Sequence, residues 1–282
     1  MHDTMKINKN THGNGVVVME LIRTEMTPRE RLTAYAAGQE VDRIPTVLTA
    51  AETSPIRYGI QNKDYYFSAD LMVEVEIKKS PKNFGADNMG RKRRLARCSR
   101  SFRRFCRNAW KQCIACRRCR YRVVWDLERM SIIDVTKDGR FPIMLEAYNR
   151  LQEKFGKTHI IGTGMAGPFT VAAFLIGTEN SWRMWWKRKV KSRNSFNFAT
   201  DNVVAAGEGL YKHAGIKPSI AEPIIARNLL SPRMFKKYAV PFMTQTVERL
   251  TKIYGSKPGM HICGTTHDRW QEIVASAYPL FL

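Results

Sequence analysis

From Ile143 onward, short apolar runs alternate with longer stretches whose apolar residues recur at helical spacing, and this alternation limits the possible folds more than any other feature of the chain. Ile143 to Phe155 reads as an amphipathic helix ended by Gly156, and His159-Ile160-Ile161-Gly162 as a strand. Gly164 to Thr170 reads as a tight turn into a helix over Val171 to Ile176. Asn202 to His213 is predicted helical and Ser219 to Glu222 extended, and Ser231-Pro232 caps a long helix reaching Tyr254. A strand at His261 to Cys263 and a helix from Asp268 to Ala275 complete the run. Strands separated by helices of this length run parallel with crossover connections. The expected class is therefore α/β, either an open sheet or a closed (β/α)8 barrel.

The front of the chain extends the same pattern. Thr27 reads as an N-cap, Pro28 as the first helical residue and Glu30 as the partner of a capping box, for a helix running to about Gly38. Arg43 to Leu48 is expected to be the first buried strand, residues 65 to 79 a helix, and Phe84 to Asp87 a strand entry. Residues 1–25 show little beyond a short apolar run at Val16 to Met19 and read as a disordered leader, leaving 26–282 as the folded part.

The chemistry concentrates at Met260-His261-Ile262-Cys263-Gly264. A nitrogen ligand and a soft sulfur ligand stand two residues apart at a strand end, where alternation turns both to one face. Zinc accepts this mixture, and a catalytic zinc keeps one position open for water or substrate. A lone His-x-Cys is also compatible with an ordinary core pair. In a barrel the reacting groups collect at the carboxyl ends of the strands, where Gly164, Glu222, His261 and Cys263 all fall. The glycines of Gly164 to Thr170 would let backbone amides approach an anionic group, or they simply make a turn. Glu222 reads either as a site residue or as a solvated strand-end carboxylate. His267 is expected in a helix cap.

The net charge of +22 over 282 residues would ordinarily point to nucleic acid. Its distribution argues otherwise, because most of the excess lies in two blocks, residues 91–129 and 182–195, and the rest is close to neutral. Five of the six cysteines crowd between Cys98 and Cys119, which is no secreted disulfide framework but would suit a basic Cys-rich zinc or nucleic-acid module. We read both blocks instead as translated out of frame. Trp and Met have single codons, so Trp182-Arg183-Met184-Trp185-Trp186-Lys187, read from the third base of each codon, yields Ala or Glu, then Asp, Asn, His or Tyr, then Val-Val-Glu. That hidden segment has helical spacing; the visible one does not. The sequence contains neither a long apolar run nor the apolar core of a signal peptide, so a cytoplasmic protein without membrane contact is expected.

With these residues in view, the chain resembles the uroporphyrinogen decarboxylase superfamily, a TIM-barrel group that includes zinc-dependent corrinoid methyltransferases. The resemblance rests on Met26-Thr27-Pro28-Arg29-Glu30-Arg31-Leu32 with Asp42-Arg43-Ile44-Pro45, on Gly164 to Thr170, on Leu230-Ser231-Pro232 with Phe235 and Pro241, and on His261-Ile262-Cys263-Gly264. The last is similar to the segment in which methylcobalamin-dependent methyltransferases bind zinc through His and Cys, with a second Cys farther on. The resemblance implies methyl transfer from a methylated corrinoid, carried by a partner corrinoid protein, to a small thiol or pterin-type acceptor, with Zn2+ at His261 and Cys263 and no role for nucleic acid. It places Glu222 among the catalytic candidates and Gly164 and Gly167 among the cofactor-binding ones. Decarboxylation of a porphyrinogen is the alternative, but Thr49-Ala50-Ala51-Glu52-Thr53 stands where decarboxylases resemble one another in an Arg-rich segment. No cysteine follows Cys263, and the chain reads as a C-terminally incomplete barrel whose third zinc ligand would lie beyond Leu282.

Overall fold

The computed structural model describes residues 2–7, 19–47, 53–78, 87–89, 130–176 and 189–275. The cysteine-rich block and the first half of the second basic block lie outside the described residues. The chain divides into two units, one formed by Met1–Arg91 with Ala147–Ile161 and the other by Lys92–Glu146 with Gly162–Leu282.

In the first unit, β1 (His2–Ile7) and β2 (Met19–Thr24) form an antiparallel pair, whose register sets Asp3 opposite Arg23 and Lys6 opposite Glu20. These two strands fall within residues 1–25, for which the sequence showed little pattern. Pairing between segments remote in sequence leaves no local period for a sequence reading to find. Helix α1 (Pro28–Ala36) starts as expected: the Thr27 hydroxyl accepts from the Glu30 N–H, and the Glu30 carboxylate accepts from the Thr27 N–H. Short helices α2 (Thr53–Arg57) and α3 (Asn62–Tyr65) precede α4 (Ala69–Lys78).

Residues 44–47 are not the buried strand anticipated. Ile44 is 75% exposed and Val47 44%. The segment is held through its polar groups: Arg43 binds the buried Asp87 carboxylate at 2.7 and 2.8 Å, and the Thr46 N–H donates to it at 2.7 Å. Arg31, fully buried on α1, also reaches Asp87, and binds Asp42 at 2.5 and 2.7 Å. Its hydrogen bond holds the Asp42 carboxyl down at about 2. Paired charges of this kind are tolerated in an interior because each has its counterion and its hydrogen bonds. Beyond Asp87, β3 (Asn88–Met89) pairs in parallel with β4 (Ile160–Ile161), which follows helix α5 (Phe141–Phe155).

The second unit is built on three parallel strands in the order β5 (Gly164–Ala166), β6 (Ser219–Ala221), β7 (Met260–His261). Helix α6 starts at Pro168 rather than at Val171 and runs to Ile176, so most of the anticipated turn is strand and helix. Helix α7 (Lys189–Ala214) is far longer than the predicted Asn202 to His213 and takes in the end of the second basic block. Phe196, Ala199, Val203, Ala206 and Leu210 recur on its buried face at intervals of three and four. Phe196 stacks on Phe169 of α6 at 4.8 Å and meets Phe242 at 4.9 Å. Burial of side chains this large is worth about 1.5–3 kcal/mol each.

Phe242 lies on α9 (Val240–Tyr254), the end of a three-part element. Ser231 caps α8 (Pro232–Met234), a π-helical turn spans Phe235–Ala239, and α9 ends at Gly255 in the left-handed region, φ 67°. The last helix, α10, is Trp270–Ala275. No helix among the described residues is long and apolar enough to cross a membrane.

Candidate active site at the ends of three strands

The carboxyl ends of β5, β6 and β7 lie side by side, and the chain continues the ladder slightly beyond each strand. The Gly167 N–H donates to the Ala221 carbonyl at 2.9 Å, and the Glu222 N–H donates to the His261 carbonyl at 2.9 Å. This brings Gly167, Glu222 and His261 to one end of the sheet, the position at which parallel α/β sheets place ligands.

Glu222 is fully buried, so the solvated strand-end alternative is corrected. Its carboxylate accepts from the Phe169 N–H at 2.8 Å, from the Thr170 N–H at 2.9 Å and from the Thr170 hydroxyl at 2.5 Å. These are first-turn groups of α6, which has Gly167 and Pro168 at its start and no Ser, Thr, Asp or Asn to cap itself. A carboxylate from the next strand takes over that task, favoured by the positive end of the helix dipole. Burial nonetheless dominates and pushes the Glu222 carboxyl up to about 7, against the pull of its three donors.

The glycines acquire a definite reason here. A Cβ on Gly167 would fall within the Glu222 carboxylate itself, with Glu222 Cδ only 2.5 Å away. The close approach of an anion to backbone amides, anticipated for this turn, is therefore made by the chain's own carboxylate. Gly164 is the first residue of β5, opposite Ser219 at the start of β6, so the expectation that it stands at a strand's carboxyl end is corrected.

Strand β7 ends at His261, so Cys263 stands just beyond it rather than on it. The two side chains nevertheless converge, with His261 Nε2 2.8 Å from Cys263 Sγ. His261 is exposed and Cys263 half-buried. Nitrogen and sulfur ligands of one tetrahedral zinc stand about 3.5 Å apart, so a modest opening of a pair that already meets in an accessible place would admit the ion. The donor set fits zinc. Among the described residues no group of three or more His, Cys, Asp and Glu converges on one point, and these two would supply two ligands.

The loop after the pair is fastened to the loop after β6. Gly264 has φ 113°, and a Cβ there would lie 3.0 Å from the Ala226 Cβ and 3.3 Å from Asn228 Oδ1. The Arg227 N–H donates to the Thr265 carbonyl at 2.8 Å, and the Thr265 N–H to Asn228 Oδ1 at 3.2 Å. Beneath them Arg269 is fully buried. Its guanidinium donates to the Ile225 carbonyl at 2.5 Å and the Leu230 carbonyl at 2.9 Å, lies 4.9 Å from the Phe235 ring centre, and binds Asp268 at 2.9 Å. That bond from Arg269 holds the Asp268 carboxyl below the usual carboxylate range. His267 sits in a turn, with Nε2 2.5 Å from Arg227 Nη1. Sequence reasoning missed Thr170, Arg227, Asn228 and Arg269. The one available signal was the uncapped start of α6, which implied that something distant had to supply its acceptors.

Comparison with known proteins bears on the family and the fold. The family model described as uroporphyrinogen decarboxylase (URO-D) matches residues 117–281. Among curated relatives, a methylcobamide:CoM methyltransferase of Methanosarcina barkeri is 26% identical over 131 residues, 46% of this chain and 38% of that protein. A methylated-thiol–coenzyme M methyltransferase of Methanosarcina mazei is 30% identical over 127 residues, 45% of this chain and 33% of that protein. The chain thus spans less than half the length of these relatives. A solved structure titled methyltransferase from Methanosarcina mazei superposes with a TM-score of 0.67 at 20% identity, over 90% of this chain and 75% of that one. At that identity the likeness speaks for the fold alone.

Proposed function

The chain belongs to the uroporphyrinogen decarboxylase family, and from that premise we propose that it is a zinc-dependent methyltransferase, moving a methyl group from a methylated corrinoid to a small thiol. The observation that carries this reading is the convergence of His261 and Cys263 at 2.8 Å at the end of β7. The curated relatives, whose names give a methylcobamide donor and a CoM acceptor, support it. The fold that goes with this reading is the (β/α)8 barrel, with β5, β6 and β7 as consecutive strands. A cytoplasmic enzyme acting with a corrinoid protein completes the proposal, and a pterin-type acceptor is the variant reading of the second substrate.

In this reading His261 Nε2 and Cys263 Sγ hold the ion. Zinc bound there would supply a positive charge that keeps an acceptor thiol deprotonated at neutral pH. The chain's own residues do the rest. Gly264 and the Asn228–Thr265 contact fix the loop that carries Cys263, and the Glu222 N–H anchors the His261 backbone. Glu222 is then a positioning residue, since its carboxylate oxygens are taken up by the start of α6. Gly167 serves by admitting that carboxylate rather than a cofactor phosphate.

The test is a zinc titration of the full chain beside His261→Ala and Cys263→Ser, coupled to a thiol-methylation assay with methylcobalamin. Each variant removes a ligand, so zinc affinity should fall by roughly tenfold or more and methyl transfer should disappear. Undiminished zinc affinity in either variant would overturn the site. A porphyrinogen decarboxylase would bind no zinc here and would release carbon dioxide from its substrate.

A further inference from the structure

Arg269 is fully buried, and the proposed chemistry gives it no task. A buried guanidinium costs desolvation, and an apolar side chain of similar volume is often as stable in its place. What the arginine adds is a planar fork of donors that holds several acceptors in one fixed geometry.

Those acceptors are the two ends of one loop. The guanidinium donates through Nη1 to the Ile225 carbonyl at 2.5 Å, at the end of the 3-10 turn that follows β6. Through Nη2 it donates to the Leu230 carbonyl at 2.9 Å, just before the Ser231 cap of α8. Between these anchors, Arg227 and Asn228 are the residues bonded to Thr265, and Ala226 and Asn228 crowd Gly264. Arg269 belongs to the opposite loop, the one that carries Cys263, and binds Asp268 there at 2.9 and 3.2 Å. One side chain thus ties both ends of the loop after β6 to the loop after β7.

We propose that Arg269 is a positioning residue for the strand-end pair: by pinning both ends of the 225–230 loop it fixes the surface against which Gly264 and Thr265 pack, and so fixes where the Cys263 thiol stands beside His261. It acts through the bonds of Arg227 and Asn228 to Thr265. Without the fork, two buried carbonyls and Asp268 lose a donor and the two loops are free to separate. For the metal this rests on the reading that His261 and Cys263 hold zinc; the brace itself does not.

The experiment compares the full chain with Arg269→Met, which has no donors, and Arg269→Lys, which keeps the charge beside Asp268. The first arm is amide hydrogen exchange without metal. Exchange over residues 225–230 and 263–269 should quicken by roughly tenfold in Arg269→Met and less in Arg269→Lys, while α9 is unchanged. No acceleration, or an equal one throughout the second unit, refutes the brace. The second arm is titration with Co2+ alone, read by the sulfur-to-cobalt charge-transfer band. The part of that band lost in Cys263→Ser belongs to Cys263, since the chain has five other cysteines. The cobalt affinity of that part should fall by roughly tenfold to a hundredfold in Arg269→Met, with partial recovery in Arg269→Lys. Should Arg269→Met not fold, Arg269→Lys is combined with Asn228→Ala. Both changes act on one path, so the double variant should lose less cobalt affinity than the product of the single losses. Losses that multiply in full, or an unchanged affinity in the single variants, refute the positioning role. Local acceleration of exchange in a chain that binds no cobalt through Cys263 would uphold the brace and count against the zinc reading instead.

Discussion

Glu222 shows how one side chain acquires its properties from its surroundings. On a sequence it is a carboxylate at a strand end; in the structure it is buried, capped by three donors from α6, and raised to about 7 because burial outweighs those donors. The consequence for stability has a definite sign. The folded chain holds the Glu222 proton at pH values where the unfolded chain, with an ordinary value near 4.5, has released it. Its contribution is full below 4.5 and is lost as pH rises to about 7, a change on the order of 3 kcal/mol. Glu222→Gln retains an acceptor for the helix but cannot titrate. Denaturant unfolding measured from pH 4 to pH 8 should therefore fall less steeply for Glu222→Gln than for the wild type across that window. Parallel curves for the two proteins would show that the carboxyl is not raised.

At the scale of elements, α6 is the one whose formation depends on something outside itself. Helix α1 carries its own capping box and α8 its own Ser231, and both were readable from a few consecutive residues. Helix α6 begins at Gly167-Pro168 and borrows its cap from the strand that follows, and Gly167 is required because Glu222 Cδ occupies the place of a side chain. Gly167→Ala should accordingly displace the carboxylate and leave first-turn N–H groups of α6 unpaired. The expected cost is about 1–3 kcal/mol of stability, the usual penalty for a buried polar group left without its partner. Chemical denaturation would measure it. An unaltered midpoint would mean that the turn adapts and that the glycine is there for another reason. The π-helical turn at Phe235–Ala239 belongs to this scale too, since it presents Phe235 to the buried Arg269.

At the scale of the whole molecule, the net charge of +22 is concentrated in two blocks, residues 91–129 and 182–195, on a chain that is otherwise close to neutral. We propose that both blocks are read in a shifted frame. Sequencing the coding DNA across codons 91–129 and 182–195 should show that compensating single-base changes replace both blocks with near-neutral, helix- and strand-patterned sequence, including Val-Val-Glu in place of Trp185-Trp186-Lys187. Stop codons or unpatterned polar residues in those frames would refute it, and the cysteine cluster would then have to be treated as a genuine basic module.

Much of the path of this chain was legible from local pattern. The order of parallel strands and helices, the caps at Thr27 and Ser231, and the pairing of His261 with Cys263 all follow from residues a few positions apart, where periodicity and side-chain direction do the arguing. The register of β1 with β2, the polar anchoring of residues 44–47 on Asp87, the burial of Glu222 and the placement of Arg227 beside His267 did not follow. Each joins groups remote in sequence, and a long-range contact imposes no period on the residues between. Whether a carboxyl is solvated or buried, and hence whether it titrates near 4.5 or near 7, is set by neighbours that only the tertiary structure brings to it.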